Sequence, residues 1–150
     1  MFTLDDIADA WFLKAIEIYP EAARGGMMQS GDRFLNPVAS TLRESLAILV
    51  NELAGGMIDE EVTSALDAIV RVRAVQDCTP EMALAFTGQL LDVIRDRHAE
   101  EMFPALEQRI DILALSANRQ YAFCVSDIAR VRSSELQRLQ GMQPWMRQTL

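Results

Sequence analysis

Arg73 and Gln76 stand where a helical period calls for apolar side chains. On a helical wheel of residues 62–76, Val62, Ala65, Leu66, Ala68, Ile69, Val72 and Val75 form one broad apolar arc. Both polar residues fall inside that arc, while Arg71 points the opposite way. A guanidinium buried there needs partners, because an unsatisfied buried cation is strongly destabilising. Two chemistries meet that need. The plainer one is a lock between helices, with Asp111 or the nearby Asp77 neutralising Arg73. The other is a polar spot in an apolar cavity, where Arg73 and Gln76 bind a small carboxylate or another anionic signal and Trp11 and Tyr121 form the walls.

The remaining reactive residues are few. Cys78 precedes Thr79, an expected N-cap, where the positive end of a helix lowers a thiol pKa and makes a redox sensor. The alternative is a small apolar residue packing on Ala83 as a hydrophobic staple. Cys124 lies on the main apolar stripe of its helix and reads as core. The two cysteines lack metal-ligand spacing, so neither a zinc site nor a disulfide framework is expected. The lone histidine, His98, sits at the edge of an apolar face among Arg95, Asp96, Arg97 and Glu100, which suits a solvated residue rather than a haem ligand. No Glu-x-x-His pair suggests a di-iron bundle. The expectation is therefore no cofactor, no metal and no catalytic constellation: not an enzyme.

Composition sets the frame around these residues. A chain of 150 residues fits one domain, 1–150, that buries about 70% of its unfolded surface. No segment approaches the ~20 apolar residues of a membrane helix and no basic leader is present, so the expectation is a soluble, cytoplasmic protein without membrane insertion. Twenty-two acidic against fourteen basic residues give a net charge of −8, which disfavours nucleic acid. The charge is uneven. From Arg119 onward five arginines stand against Asp127 and Glu135, a balance of +3 that leaves −11 for the rest. Cations complementing the negative end of a helix explain that excess, and a docking patch for an acidic partner is the sharper reading.

Periodicity predicts an all-α domain of five helices. The first, about residues 4–19, starts with Thr3 as N-cap and Asp6 three residues on, and carries Ile7, Trp11, Ala15 and Tyr19 on one stripe. Residues 20–35, with Gly25, Gly26 and Gly31, read as the one long irregular connection. Asn36 caps a second helix with Pro37 in its first position, and Gly55-Gly56 closes it in left-handed geometry. Asp59 starts the third. Thr79-Pro80 starts the fourth, expected to run unbroken to about His98 or Met102. The fifth spans residues 104–140 with no glycine or proline after Pro104, a rod of about 55 Å. Its main stripe holds Leu106, Ile110, Leu113, Ala117, Tyr121, Cys124, Ile128 and Val131, and a second strip holds Ile112, Leu115, Ala122 and Phe123. A helix apolar on two sides needs two partners, here the domain's own core and a second copy of the chain. Trp145 and Met146 form a short tail beyond Gly141 and Pro144.

The run Arg71-Val-Arg-Ala-Val-Gln76, followed by Thr79-Pro80 and Ala83-Leu-Ala-Phe86, resembles the N-terminal sensory domain of RsbRD, a co-antagonist of the kinase RsbT. Asn36-Pro37, Arg109-Ile-Asp111, Leu115 and Tyr121 extend the resemblance over roughly residues 8–138. It implies a globin-like helical arrangement without haem, and a role in bacterial stress signalling. Such modules are coupled to a STAS output domain, which does not follow here, so a stand-alone module is expected. The resemblance thus implies a non-enzymatic sensory or regulatory module that relays a signal to an unidentified protein partner. The alternative is an accessory or adaptor subunit of a redox or sulfur-metabolism complex.

Overall fold

The computed structural model describes residues 2–29, 36–76 and 78–142, and among these it contains seven α-helices and no strand. Helix α1 spans Leu4–Ala15 and opens with a capping box: Asp6 N–H donates to Thr3 Oγ1 at 3.1 Å, and Thr3 N–H donates to Asp6 Oδ2 at 2.8 Å. A 3-10 turn, Ile16–Ile18, tightens its exit. Helix α2 covers Glu21–Gln29 and α3 covers Pro37–Ala54, where Asn36 accepts from Ala39 N–H as N-cap. Helix α4 is Asp59–Ala74, with Asp59, Glu60 and Glu61 at its positive end. Helices α5, Pro80–Leu84, and α6, Phe86–Asp96, follow, and α7 is a single rod, Leu106–Gln140.

The core is continuous. Helix α4 packs between α3 and α7, while α1 lies against α3 and α6. Trp11, Phe12, Leu42, Leu46, Leu49, Leu66, Ile69, Phe86 and Leu113 are fully shielded in it. Each such side chain contributes about 1.5–3 kcal/mol relative to exposure. Trp11 is fixed twice over, by stacking on Phe86 and by its indole N–H donating to the Phe86 carbonyl at 2.6 Å.

Four expectations are corrected. Residues 21–29 form α2 despite Gly25 and Gly26, because the Pro20 carbonyl accepts from Ala23 and Arg24 N–H and Met27 is buried against the domain. The fourth helix breaks at Ala85, where the Thr87 hydroxyl donates back to the Leu84 carbonyl, with Gly88 one turn on. Seven helices thus replace five. After α3 the left-handed residue is Met57, at φ 52°, whereas both Gly55 and Gly56 keep negative φ. Gly55 is needed for another reason: a Cβ there would meet the Asn51 carbonyl at 3.0 Å. Finally, Val75 belongs outside the apolar arc of α4, being 70% exposed, and Val70 takes its place in the core. Asp77, Gly31, Pro144, Trp145 and Met146 lie outside the described residues.

Candidate functional site

Arg73 sits in the last turn of α4 and is only 1% exposed. Its Nη2 donates to the Ala15 carbonyl at the end of α1 at 2.8 Å, and its Cζ lies 5.3 Å from the centre of the Tyr19 ring. Both contacts have a plain cause. Carbonyls in the last turn of a helix lack intrahelical donors and carry negative partial charge, and an aromatic face attracts a cation. They do not exhaust the guanidinium. Among the described residues Nε and Nη1 have no hydrogen-bond partner, and burial pushes the Arg73 pKa down, partly offset by Tyr19 and Cys78. Asp111, expected as a neutralising partner, is exposed and makes no ion pair with Arg73.

Tyr19 links this arginine to the surface. It follows the 3-10 turn in extended backbone, φ −86° and ψ 153°, the geometry that the following Pro20 imposes. Its hydroxyl donates to Gln76 Oε1 at 2.8 Å. Together with Ile18, Pro20, Gln76, Cys78 and Met82 it lines a cleft of about 300 Å³. Arg73 lies behind the Tyr19 ring and is not part of the cleft wall. Of the four residues singled out in the sequence, Arg73 and Gln76 are therefore brought together. Trp11 is held by Phe86 and does not line the cleft. Tyr121 is also absent from the wall; its pKa is raised, first by burial and then by Cys78 and Glu81. Tyr19 is the residue that sequence reasoning missed. The helical period places it only on the apolar stripe of the first expected helix, and its position immediately before Pro20 is the available signal.

The other reactive groups are quieter. Cys78 is half-buried with Sγ 3.7 Å from the Arg73 carbonyl, and Cys124 is buried, its thiol pKa raised by burial; both are free. His98 is exposed and left-handed, at φ 51°, ending α6 where Ala99 N–H reaches back to the Ile94 carbonyl. Among the described residues no group of three or more His, Cys, Asp or Glu is placed to hold a metal ion. No helix among them is long and apolar enough to cross a membrane.

Two further arginines close helix ends. Arg43 Nη2 donates to the Met28 carbonyl at 3.0 Å at the end of α2 and stacks on Phe12. Arg109 Nη1, at the start of α7, donates to the carbonyls of Leu53 at 2.8 Å and Gly55 at 2.7 Å, closing α3.

The architecture now has a counterpart. A family model described as the RsbT co-antagonist protein rsbRD N-terminal domain matches residues 5–136. The chain belongs to that family. No curated protein and no solved structure matches it. The matched span of this rsbRD N-terminal domain holds Arg73, the cleft beside it and most of α7, and the family is regulatory rather than a known enzyme family. On α7 the main stripe is buried at Ile110, Leu113, Ala117, Tyr121 and Cys124. The second strip stays open, with Ile112, Leu115 and Phe123 at 54%, 56% and 69% exposure and Ala122 exposed between them. Beyond Cys124 no described residue of α7 is buried. There Arg130 pairs with Asp127 and Arg138 with Glu135.

Proposed function

We propose that this rsbRD N-terminal domain is a non-enzymatic input module for stress signalling that relays a signal to a protein partner through α7. The supporting observation is the division of that helix. One side is built into the core, the opposite strip of Ile112, Leu115, Ala122 and Phe123 is uncovered, and the end projects past the last buried residue. A continuous helix spanning both environments transmits a shift made at one to the other. We assign the uncovered strip to a second copy of the chain, because a two-fold axis buries the same strip on both partners. The globin-like arrangement and cytoplasmic residence belong to the same reading, the latter supported by two free cysteines.

Sedimentation tests the pairing. A mass twice the 16.8 kDa chain is expected at micromolar concentration, with Leu115→Glu/Phe123→Glu returning it to one chain. A wild-type monomer under those conditions removes the two-fold assembly. Capture with purified candidates then tests the relay: a STAS-domain protein or switch kinase retained by wild type supports it, and retention of a respiratory enzyme instead favours the adaptor alternative.

A further inference from the structure

We infer that the cleft at Tyr19 and Gln76 is the entrance to a binding site for a small monocarboxylate with a short apolar tail, and that Tyr19 is its gate. The guanidinium behind the ring is almost completely buried, yet Nε and Nη1 find no acceptor among the described residues. Helix capping explains one donor to the Ala15 carbonyl and leaves those two without a role. Tyr19 links them to the open cleft, since its ring lies over the guanidinium and also forms part of the cleft wall. That half-buried ring packs at the edge of the core, and its one side-chain hydrogen bond among the described residues is the hydroxyl bond to Gln76.

The chemistry of the lining selects the ligand. A planar carboxylate matches the fork of a guanidinium, whereas a compact dianion would carry a charge that one arginine leaves unbalanced. Ile18, Pro20 and Met82 offer apolar contact for a tail. When the ring turns outward Gln76 Oε1 loses its phenol donor, and the side chain, no longer held by that bond, can turn to present its Nε2 to the second carboxylate oxygen. To call such a carboxylate the module's signal rests on the relay reading above. Its binding does not, and a measurement on the isolated chain tests the site whatever α7 engages.

The experiment titrates the full chain with hexanoate and benzoate, against hexanamide and inorganic phosphate as controls. It follows thermal unfolding and the Arg73 Nε–H resonance, assigned by its loss in Arg73→Met. Hexanoate is expected to shift that resonance saturably and to raise Tm by about 5 °C or more at a hundredfold excess over its Kd. Hexanamide and phosphate are expected to do neither, and Arg73→Met to lose at least tenfold in affinity. Tyr19→Phe frees the gate while keeping its ring, and should bind hexanoate about fivefold tighter, the worth of one neutral hydrogen bond. Equal responses to hexanoate and hexanamide, an unmoved Arg73 resonance, or unchanged binding in Arg73→Met overturns the site. Unchanged or weaker binding in Tyr19→Phe overturns the gate.

Discussion

Arg109 at the end of α3 and Arg73 at the end of α1 answer the same need, carbonyls that a helix leaves unpaired in its last turn. Their surroundings differ. Arg109 is half-exposed, and one of its nitrogens reaches the Leu53 and Gly55 carbonyls at ordinary distances. Arg73 is enclosed, makes one such bond, and has two nitrogens without an acceptor. For the first, capping accounts for the residue. For the second it does not, because a neutral donor would serve Ala15 without the cost of a buried charge. The contrast teaches that a cation at a helix end is explained by its bonds when wet, and by its missing bonds when dry.

Truncation should separate the two most sharply. Arg73→Ala opens a cavity and removes the side-chain bond to the Ala15 carbonyl, and is expected to cost about 3 kcal/mol or more in chemical denaturation. Arg73→Met fills much of that space and removes the unpaired donors, so its cost should stay below about 1 kcal/mol. Arg109→Met loses its carbonyl bonds at a wetter site and should cost about 1–2 kcal/mol. If Arg73→Met proves costlier than Arg109→Met in the same denaturant series, the contrast fails and Arg73 is simply structural.

A smaller effect is expected from Tyr19→Phe, about 0.5–1 kcal/mol for the hydroxyl bond to Gln76. The smallest concerns pH. Burial raises the pKa of Cys124 and Tyr121 above their ordinary values of 9.0 and 10.0, so the folded state holds both neutral. Their contribution is complete below pH 9 and is lost as pH rises through the folded values, because the unfolded chain releases those protons first. A urea midpoint that declines between about pH 9 and 11 and flattens in Cys124→Ala would show this. An identical decline in the variant would assign the alkaline loss elsewhere.

Helix starts were legible where the chemistry is local. Thr3 with Asp6, Asn36 with Pro37, and Thr79 with Pro80 each bond within three residues, and each begins a helix where its pattern says. The rod from residue 106 to 140 was equally plain, because nothing in it interrupts the period. What escaped depended on remote contacts or competing local ones. Helix α2 draws support from Arg43, fifteen residues beyond the carbonyl it caps. The break at Ala85 turns on one hydroxyl choosing a backbone carbonyl. At the site, burial of Arg73 followed from helical spacing, but its acceptor, Ala15, lies 58 residues away, and no period could point to it. Tyr19 was hidden for the same reason, since its hydroxyl bond to Gln76 spans 57 residues.

The uneven grip on α7 has a mechanical consequence. Its fully buried residues end at Cys124, half-buried Ile128 still lies beside Ala74 and Val75 at the end of α4, and twelve residues run on to Gln140, about 18 Å of shaft at 1.5 Å per residue. With the fulcrum so far from the tip, a tilt of about 5° at Ile128 carries Gln140 through about 1.5 Å. A small repacking of α4 against α7 would be amplified in this way at the tip of the rod, as the proposed relay requires.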